Sequence, residues 1–483
     1  MNEETRIRSD LALHSSISEP LLAFHPERAA DRDVHPLQGL VRHGPFSRAL
    51  VARVPDPIRV ATIAPAGERR IVEAFLAEFG RRAVPQERLD YLPEFPGFTA
   101  IFRTSVVLAD TAAHVELSPE LEREIQNAAA PHRSLAEAVT RAIGRIEARR
   151  ADFDVLYAYF PARWSAAFVG TADDRFDLHD YLKAVTAVRG IPLQVIVEDG
   201  AIRYPCRASV LWHQGIALYA KAGGVPWTLA DTDPDVAFIG LSYALRVDVG
   251  RDARFFTCCS QVFDGDGTGL EFILYETDDV LVERENPFLS RREMRHVISR
   301  SLALYQHRHA GRLPRRVVVH KSTLFARDEV EGVFDGVLKV KEIDLVQVKQ
   351  HGPWRGVQLA SPRVGTKGVP TPFPVARGSY VQLGGKAVLL WTQGSVPSIA
   401  GPGRNYYKEM RGIPWPLEVV RFAGHGGWDD TCRSILGLTK MNWNNDALYD
   451  TLPVTMGYAQ TLARVVSRMP ELAPHPYQLR FFM

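Results

Sequence analysis

Two patterns of hydrophobic and polar positions divide the chain, and the first occupies its first half. Short apolar runs alternate there with amphipathic stretches whose apolar residues recur every three or four positions, as on one face of a helix. The runs predict strands at Ile58–Ala64, Val155–Phe160 and Leu193–Val197, and the stretches predict helices around 71–79, at Leu178–Val188 and at Arg207–Lys221. Gly223 and Gly224 are suited to ending the last of these helices. The alternation indicates a mostly parallel sheet covered by helices, so we predict an α/β domain over residues 51–225.

A second pattern begins after Pro226. Predicted strands lie at Val236–Leu241, Phe255–Phe263, Phe272–Tyr275 and Val317–Val319, and predicted helices lie at 291–307, Ser434–Leu438 and Pro453–Val466. Residues 350–378 are rich in proline and glycine, which favours extended loops. We assign 226–483 to a second domain. Residues 1–50 lack sustained periodicity and are predicted to form an irregular arm that packs on the second domain or on a partner.

Composition limits the class of protein without identifying its function. The 483 residues are 46% hydrophobic and 24% charged, which is ordinary for a soluble globular protein, and the net charge of +2 neither requires nor excludes a polyanionic partner. Four cysteines, two of them adjacent, do not make a disulfide framework, so a reducing cytoplasm is the expected location. The charged N-terminus lacks the apolar core of a signal peptide, and no apolar run predicts a membrane span.

Common catalytic motifs are absent from the sequence. There is no phosphate-binding P-loop and no Gly-x-Ser-x-Gly nucleophile elbow, and Cys258-Cys259 has no second cysteine pair at zinc-site spacing. These absences exclude several large classes of enzyme, and the residue pattern alone goes no further than a soluble protein of two or three domains.

Four separated motifs resemble short prokaryotic Argonautes, which consist of a MID domain and a PIWI domain. The motifs are Ala220–Pro226, Phe238–Leu241, Val317–Lys321 and Leu438–Asn444, the last followed by Leu452–Thr455. In order, they look like the end of a MID domain, the first and central PIWI strands, and the final PIWI helical segment. The resemblance implies a Rossmann-like MID domain over 51–225 and an RNase H-like PIWI domain over 226–483.

The same resemblance implies a pocket for the terminal phosphate of a guide strand. The residues that match the family's four-position motif are His179, Lys183, Gln194 and Lys221. His179 and Lys183 are four positions apart on one predicted helix, so they share a face. His179 replaces the tyrosine of longer relatives, and its ring can still stack on the first base or donate to phosphate. From spacing alone, both lysines would be interpreted as solvated helix residues.

The apolar C-terminal tip, Phe481–Met483, is expected to dock because such a sequence is unfavourable in water. The resemblance implies that the Met483 carboxylate lies near the guide phosphate and, with Gln194, helps to hold a Mg²⁺ ion. A divalent cation between two anions would relieve their repulsion. The alternative is a tip that only fills a hydrophobic groove.

Active PIWI domains carry acidic residues that hold two metal ions for phosphodiester cleavage. At two of the positions where the resemblance places these acids, the chain has Ser242 and Ser322. A neutral hydroxyl is a poor ligand for a hard divalent ion compared with a carboxylate. We therefore predict an inactive PIWI domain with no catalytic residues of its own.

Two basic segments are candidates for contact with a nucleic-acid backbone. The first is a predicted helix with Arg291, Arg292 and Arg295, opposed in the sequence only by Glu293. The second contains Arg404, Lys408 and Arg411 in a predicted loop. Arginine forks suit phosphate oxygens. A solvated helix face and a purely structural loop are the alternatives.

The resemblance implies a guide-binding subunit of a prokaryotic defence system. The expected ligands are a small guide, expected to be RNA, and complementary single-stranded invader DNA. The expected partner is a separate APAZ-domain protein, which forms a heterodimer with this chain and carries a TIR or sirtuin-like NAD-consuming effector or a nuclease. The alternatives are a self-sufficient guided nuclease with unusual metal ligands and a Rossmann-like protein that binds a small molecule.

Overall fold

The computed structural model of the chain describes residues 14–49, 54–171, 176–246, 254–277, 279–283, 286–360, 368–397, 399–401, 404–407, 412–466 and 477–483. The α-helices in these ranges are α1 (Pro36–His43), α2 (Arg69–Glu78), α3 (Phe98–Phe102), α4 (Leu121–Asn127), α5 (Pro131–Glu147), α6 (Leu178–Val188), α7 (Arg207–Lys221), α8 (Arg291–Arg308), α9 (Arg327–Gly336), α10 (Trp428–Leu438) and α11 (Val454–Val466). None of these described helices is long and apolar enough to cross a membrane.

The first large sheet is parallel, which confirms the α/β architecture predicted for this part of the chain. The strands up to residue 229 are β1 (His14–Ser16), β2 (Leu22–Ala23), β3 (Arg32–Asp33), β4 (Ile58–Pro65), β5 (Val106–Leu108), β6 (His114–Leu117), β7 (Val155–Phe160), β8 (Leu193–Val197) and β9 (Thr228–Leu229). The sheet has the order β5-β4-β7-β8, with β6 also beside β4, and each of these pairings is parallel. All residues of β7 are buried, because helices cover both faces of the sheet.

The second large sheet is mixed. The later strands are β10 (Val236–Arg246), β11 (Arg254–Asp264), β12 (Gly269–Thr277), β13 (Val280–Glu283), β14 (Asn286–Leu289), β15 (Arg316–Lys321), β16 (Glu342–Lys349), β17 (Leu359–Ala360), β18 (Val369–Pro370), β19 (Ser379–Gln382), β20 (Ala387–Leu390), β21 (Val396–Pro397), β22 (Asn405–Tyr406), β23 (Leu417–Ala423) and β24 (Tyr477–Gln478). The sheet order in the described chain is β1-β19-β20-β23-β16-β15-β10-β11-β12-β24. The three central strands β10, β15 and β16 are parallel, and antiparallel strands flank them, an order consistent with an RNase H-like fold.

Helices cover both faces of the mixed sheet. On one face, α8 and α9 bury Met294, Val297 and Ile298 against the sheet. On the other face, the start of α11 lies directly on β10. A Cβ atom at Gly240 would be 2.1 Å from the carbonyl oxygen of Thr455, so this close approach requires glycine. The helix therefore packs against the strand that carries Ser242.

The prediction of an irregular arm over residues 1–50 is wrong for the described part of that segment. Pro36–His43 is a helix, which begins with proline and is capped by the His35 side chain, an acceptor from the amide of Gln38 at 3.3 Å. β1 pairs with β19 and forms an edge of the mixed sheet. The helix was missed because it is short and because its apolar positions gain their burial only from tertiary packing.

The C-terminal tip is docked, as its apolar sequence predicts. Phe481, Phe482 and Met483 are all buried, and the Phe482 ring packs edge-on against Phe272 with centroids 4.5 Å apart. The tip packs against α6 and α7 of the parallel-sheet domain. It therefore brings the last residues of the chain to the elements that carry His179, Lys183 and Lys221.

Candidate functional site

Two lysines of the parallel-sheet domain lie buried next to each other. Lys183 on α6 is 4% exposed, and Lys221 at the end of α7 is 2% exposed. The Lys183 ammonium donates to the carbonyl oxygen of Phe482 at 3.1 Å, and the Lys221 ammonium donates to Gln194 Oε1. Within the described ranges, no carboxylate oxygen lies within 4.0 Å of either nitrogen. Both ammonium groups thus donate to neutral acceptors, and Asp180 and Asp177 act on Lys183 only from beyond 4.0 Å.

This environment is electrostatically unfavourable for two positive charges. Burial lowers the pKa of Lys183 to about 8. Burial, followed by repulsion from Lys183, lowers the pKa of Lys221 well below its ordinary value. Removing a charge from water without pairing it is costly, so buried lysines are normally found with carboxylates. An anion held between these two lysines would remove both penalties.

His179 completes the set of four residues that the sequence predicted to converge. Its side chain is half-exposed, and its Nδ1 atom is 3.6 Å from Asp180 Oδ1. Burial lowers the pKa of His179, and the charges of Lys183 and Lys221 lower it further. The histidine is therefore close enough for the charges of both lysines to act on it. The structure brings all four predicted residues into one neighbourhood.

A cavity of 340 Å³ opens beside these residues, between the two domains. Its lining includes His179, Lys183, Gln350, Asn442, Asn444, Asp450, Thr451, Leu452, Val454, Gly457, Tyr458, Thr461, Arg464 and Phe482. One wall thus comes from α6 and the opposite wall from α11 and the loop before it. The lining combines apolar side chains with amide, hydroxyl and charged groups, among them the Lys183 ammonium, which suits a ligand that is charged at one end.

Arg464 and Asp180 belong to this site and were missed in the sequence. The Arg464 Nε atom donates to Asp180 Oδ2 at 2.6 Å, and this ion pair joins α11 to α6. Asp180 is 4% exposed, so the pair is partly desolvated. The only local signal was that Asp180 directly follows His179; nothing in the sequence placed Arg464, 284 residues away, beside it.

The oxygen atoms near Lys183 and Lys221 determine whether this site suits a Mg²⁺ ion. Lys221 already donates to Gln194 Oε1, one of the two predicted Mg²⁺ ligands, and Met483, which carries the other, is buried at 2% exposure. Asp177, His179 and Asp180 also converge, with ligand atoms within 4.8 Å of one another. However, Asp180 pairs with Arg464, and Asp177 caps α6 by accepting from the Asp180 amide at 3.0 Å. The oxygen atoms at this site are thus already engaged by lysine, arginine and backbone N–H groups, which fits those partners better than a divalent ion. The Mg²⁺ site stays a prediction.

The two serines at the expected slicer positions lie on adjacent strands. β10 and β15 are parallel, with Leu241 opposite Lys321, so Ser242, within β10, and Ser322, just after β15, come next in register. A fully buried ion pair lies beside them, in which Lys321 Nζ is 2.6 Å from both oxygens of Glu329. The Glu329 carboxylate is therefore already neutralised by a lysine.

The basic segments are more heavily paired than the sequence indicated. Arg291 binds Asp335 at 2.6 Å and Glu331 at 2.8 Å, so the expectation that only Glu293 opposes this helix is wrong. Arg292 is 3.5 Å from Glu293, and Arg295 is exposed. Arg404 is 3.9 Å from Asp90. Lys408 and Arg411 lie outside the described residues.

Comparisons with known proteins show what the fold is similar to. No protein-family model matches the chain. Argonaute of Thermus thermophilus is 24% identical over 308 residues, which are 63% of this chain and 39% of that protein. The chain thus spans about two fifths of the curated relative that it matches.

Solved structures extend the similarity to nearly the whole chain. Clostridium butyricum Argonaute bound to a guide DNA and a 19-mer target DNA has a TM-score of 0.62 at 16% identity, over 95% of this chain and 53% of that one. Aquifex aeolicus Argonaute has a TM-score of 0.61 at 15% identity, over 98% of this chain and 57% of that one. The chain therefore has the mixed α/β fold of Argonaute MID and PIWI domains.

Proposed function

We propose that this Argonaute-like chain binds the 5′ phosphate of a small guide strand between Lys183 and Lys221. The observation that carries the proposal is the burial of both lysines with no carboxylate within 4.0 Å among the described residues, together with a cavity that Lys183 lines. Gln194 orients Lys221 through its Oε1 atom, and half-exposed His179 stacks on the first base or donates to the phosphate.

A terminal phosphate suits this site better than an internal one. A phosphate monoester carries a charge close to −2 at neutral pH and three acceptor oxygens, whereas an internal diester carries −1. Two lysines would match the full charge of the monoester, and each charge-assisted hydrogen bond is worth about 1.5–3 kcal/mol. The site would thereby distinguish the end of a strand from its interior.

The experiment compares guides that differ only at the 5′ end. Binding isotherms with 5′-phosphorylated and 5′-hydroxyl RNA and DNA of one sequence should show at least tenfold tighter binding of the phosphorylated strand. EDTA added to the same titrations tests the predicted Mg²⁺ ion. Equal binding of phosphorylated and hydroxyl ends would contradict the proposal.

We further propose that the chain recognises complementary DNA without cutting it. Ser242 and Ser322 stand on adjacent strands at positions where the resemblance implies carboxylates, and Glu329 beside them is paired with Lys321. A guide-loaded chain should leave labelled target DNA intact with Mg²⁺ or Mn²⁺. Target cleavage by the purified chain would instead support the self-sufficient nuclease.

Chemistry after target recognition would then belong to a separate protein. On the resemblance to short prokaryotic Argonautes, we propose an APAZ-domain partner with a TIR, sirtuin-like or nuclease effector, which forms a heterodimer with this chain in prokaryotic defence. The test is to co-purify the chain with the product of the adjacent gene and to measure NAD⁺ loss and DNA cleavage. Activity should require both the guide and its complementary DNA. Activity without them would contradict the coupling.

A further inference from the structure

A long segment of the mixed-sheet domain contains no acidic residue. Residues 345–408 include eight lysines and arginines and neither aspartate nor glutamate, although the chain as a whole has 56 acidic residues in 483. At the average frequency, a segment of this length would contain about seven acidic residues. The segment therefore has an ordinary number of basic residues but lacks acids, and its eight positive charges are not offset within the segment, in a chain whose net charge is only +2.

Large apolar side chains are exposed where this segment leaves the sheet. Trp354 is 45% exposed, and Val357 and Leu359 are exposed at 64% and 57%. Trp415, 38% exposed and just before β23, packs with His351 and Arg355 of the same segment. Exposed apolar surface of this kind marks an interaction site more often than an accident of packing. We call His351, Trp354, Arg355 and Trp415 the tryptophan patch.

The tryptophan patch is built around stacked rings and cations. The Arg355 guanidinium lies 3.8 Å from the Trp415 ring centroid, and the His351 ring meets Trp415 edge-on at 5.1 Å. Arg355 also donates to the carbonyls of Gly352 and Trp354, at 3.2 and 2.7 Å. In the part of the chain that the structure describes, no carboxylate lies within 4.0 Å of Arg355. Its charge is thus free to meet an external anion.

The tryptophan patch follows directly in sequence on a residue of the guide-end cavity. Gln350 lines that cavity, and the next residue is His351, whose φ of 62° lies in the left-handed region. The backbone of one short loop therefore joins the patch to the cavity.

We propose that the tryptophan patch binds unpaired nucleotides of a single strand, with bases stacked on Trp354 and on the Trp415–Arg355 pair. Flat aromatic faces bind any base, and the Arg355 guanidinium, which has no carboxylate within 4.0 Å among the described residues, attracts the backbone. An acidic protein would satisfy the charges, but it would not use the stacked arrangement of rings and guanidinium. The inference rests on the proposed function, because nucleic acid is the ligand, but it does not depend on the 5′ phosphate.

The test uses a single-stranded pyrimidine 12-mer with a 5′ hydroxyl, as RNA and as DNA. Trp354→Ala and Trp415→Ala should each weaken its binding about five- to tenfold, because each removes a stacking surface. Leu338→Ala is the matched control, since Leu338 is 82% exposed and lies outside the acid-free segment. Binding by the control should equal that of the unmutated protein, and circular dichroism should show the same fold for all variants.

A second measurement locates the strand directly. A 12-mer with 5-iodouracil at successive positions should crosslink to Trp354 or Trp415, as read by mass spectrometry of the tryptic peptides. Unchanged affinity in both tryptophan variants, or crosslinks confined to other residues, would overturn the proposal and leave the patch as a protein interface. The preference for a 5′ phosphate should persist in the tryptophan variants. Failure of the guide-end pocket would instead remove that preference in the unmutated protein, so the two failures are distinguishable.

Discussion

Two pairs of buried lysines in this protein differ in one respect, the presence of a carboxylate. Lys321 and Lys440 have completely buried side chains, and each binds a glutamate, Glu329 at 2.6 Å and Glu19 at 2.8 Å. Lys183 and Lys221 are just as buried but bind only the neutral oxygens of Phe482 and Gln194. The first pair is complete within the fold, whereas the second is complete only with an external anion.

The paired lysines are also held by several other groups. Around Lys321, the rings of Tyr243, Phe288 and Phe325 lie 4.9, 5.0 and 5.5 Å from the ammonium. Lys440 donates to the carbonyls of Pro20 and Val34 and so ties the N-terminal segment to the mixed-sheet domain. Such satisfied pairs position structural elements. A lysine that binds an external anion must instead lack a carboxylate partner within the protein.

The largest effect should come from breaking a complete pair. Lys321→Met leaves Glu329 buried without its cation, so the free energy of unfolding should fall by about 3–5 kcal/mol. Lys221→Met removes an unpaired buried charge, so the stability of the guide-free protein should stay equal or rise. Urea denaturation followed by circular dichroism measures both. Equal losses in the two variants would show that the lysine pairs do not differ.

Guide binding should show the reverse dependence. Lys183→Ala with Lys221→Ala should weaken binding of a 5′-phosphorylated guide by about 1.5–3 kcal/mol for each lost contact, with the fold intact. Lys339→Ala with Lys341→Ala is the matched control, because both lysines are exposed. Isothermal titration with phosphorylated and hydroxyl guides gives the comparison. A similar loss in the control would indicate general charge attraction rather than a pocket.

A pH titration tests whether guide binding needs the charged form of Lys183. Burial holds the pKa of Lys183 at about 8 in the folded chain, below its ordinary 10.5. Because the unfolded chain binds the extra proton, the stability of the guide-free protein should rise between about pH 8 and 10.5. Affinity for a 5′-phosphorylated DNA guide should fall over the same range, by up to about tenfold per pH unit, because the phosphate needs the charged lysine.

The control for this titration is Lys183→Met, which should reduce the slope of both curves above pH 8. Part of the slope in stability should remain, because burial also lowers the pKa values of Lys221, Lys321 and Lys440. Affinity that is constant from pH 7 to 9.5 in the unmutated protein would exclude Lys183 as a charged contact.

The smallest expected effect concerns the C-terminal tip. A short polar tail after Met483 should displace Phe482, whose carbonyl accepts from Lys183, and weaken guide binding by about 0.5–1.5 kcal/mol. If the Met483 carboxylate holds Mg²⁺, the tailed protein should also lose its sensitivity to EDTA. Titrations of native and tailed protein, with and without EDTA, measure both effects. Unchanged affinity and metal sensitivity would mean that the tip only fills its groove.

Local pattern was sufficient for most of the fold. Helices Leu178–Val188 and Arg207–Lys221 and strands Val155–Phe160 and Leu193–Val197 were predicted with the bounds that the structure has. These elements depend on periodic burial and on end signals within a few residues, which a sequence displays directly. Pro36–His43 was missed because its burial comes from distant elements.

The candidate site likewise has a part that the sequence predicted and a part that only the tertiary structure decided. The sequence placed His179 and Lys183 on one helix face, and a resemblance joined Gln194 and Lys221 to them, yet spacing alone equally allowed solvated lysines. Tertiary structure decided their burial and their lack of carboxylates, and it brought Phe482 to Lys183 across 299 residues. It also gave Arg291 two carboxylates of α9. Backbone hydrogen bonding is local and so can be predicted from sequence, whereas the solvation and pairing of a charge depend on which distant elements pack against it.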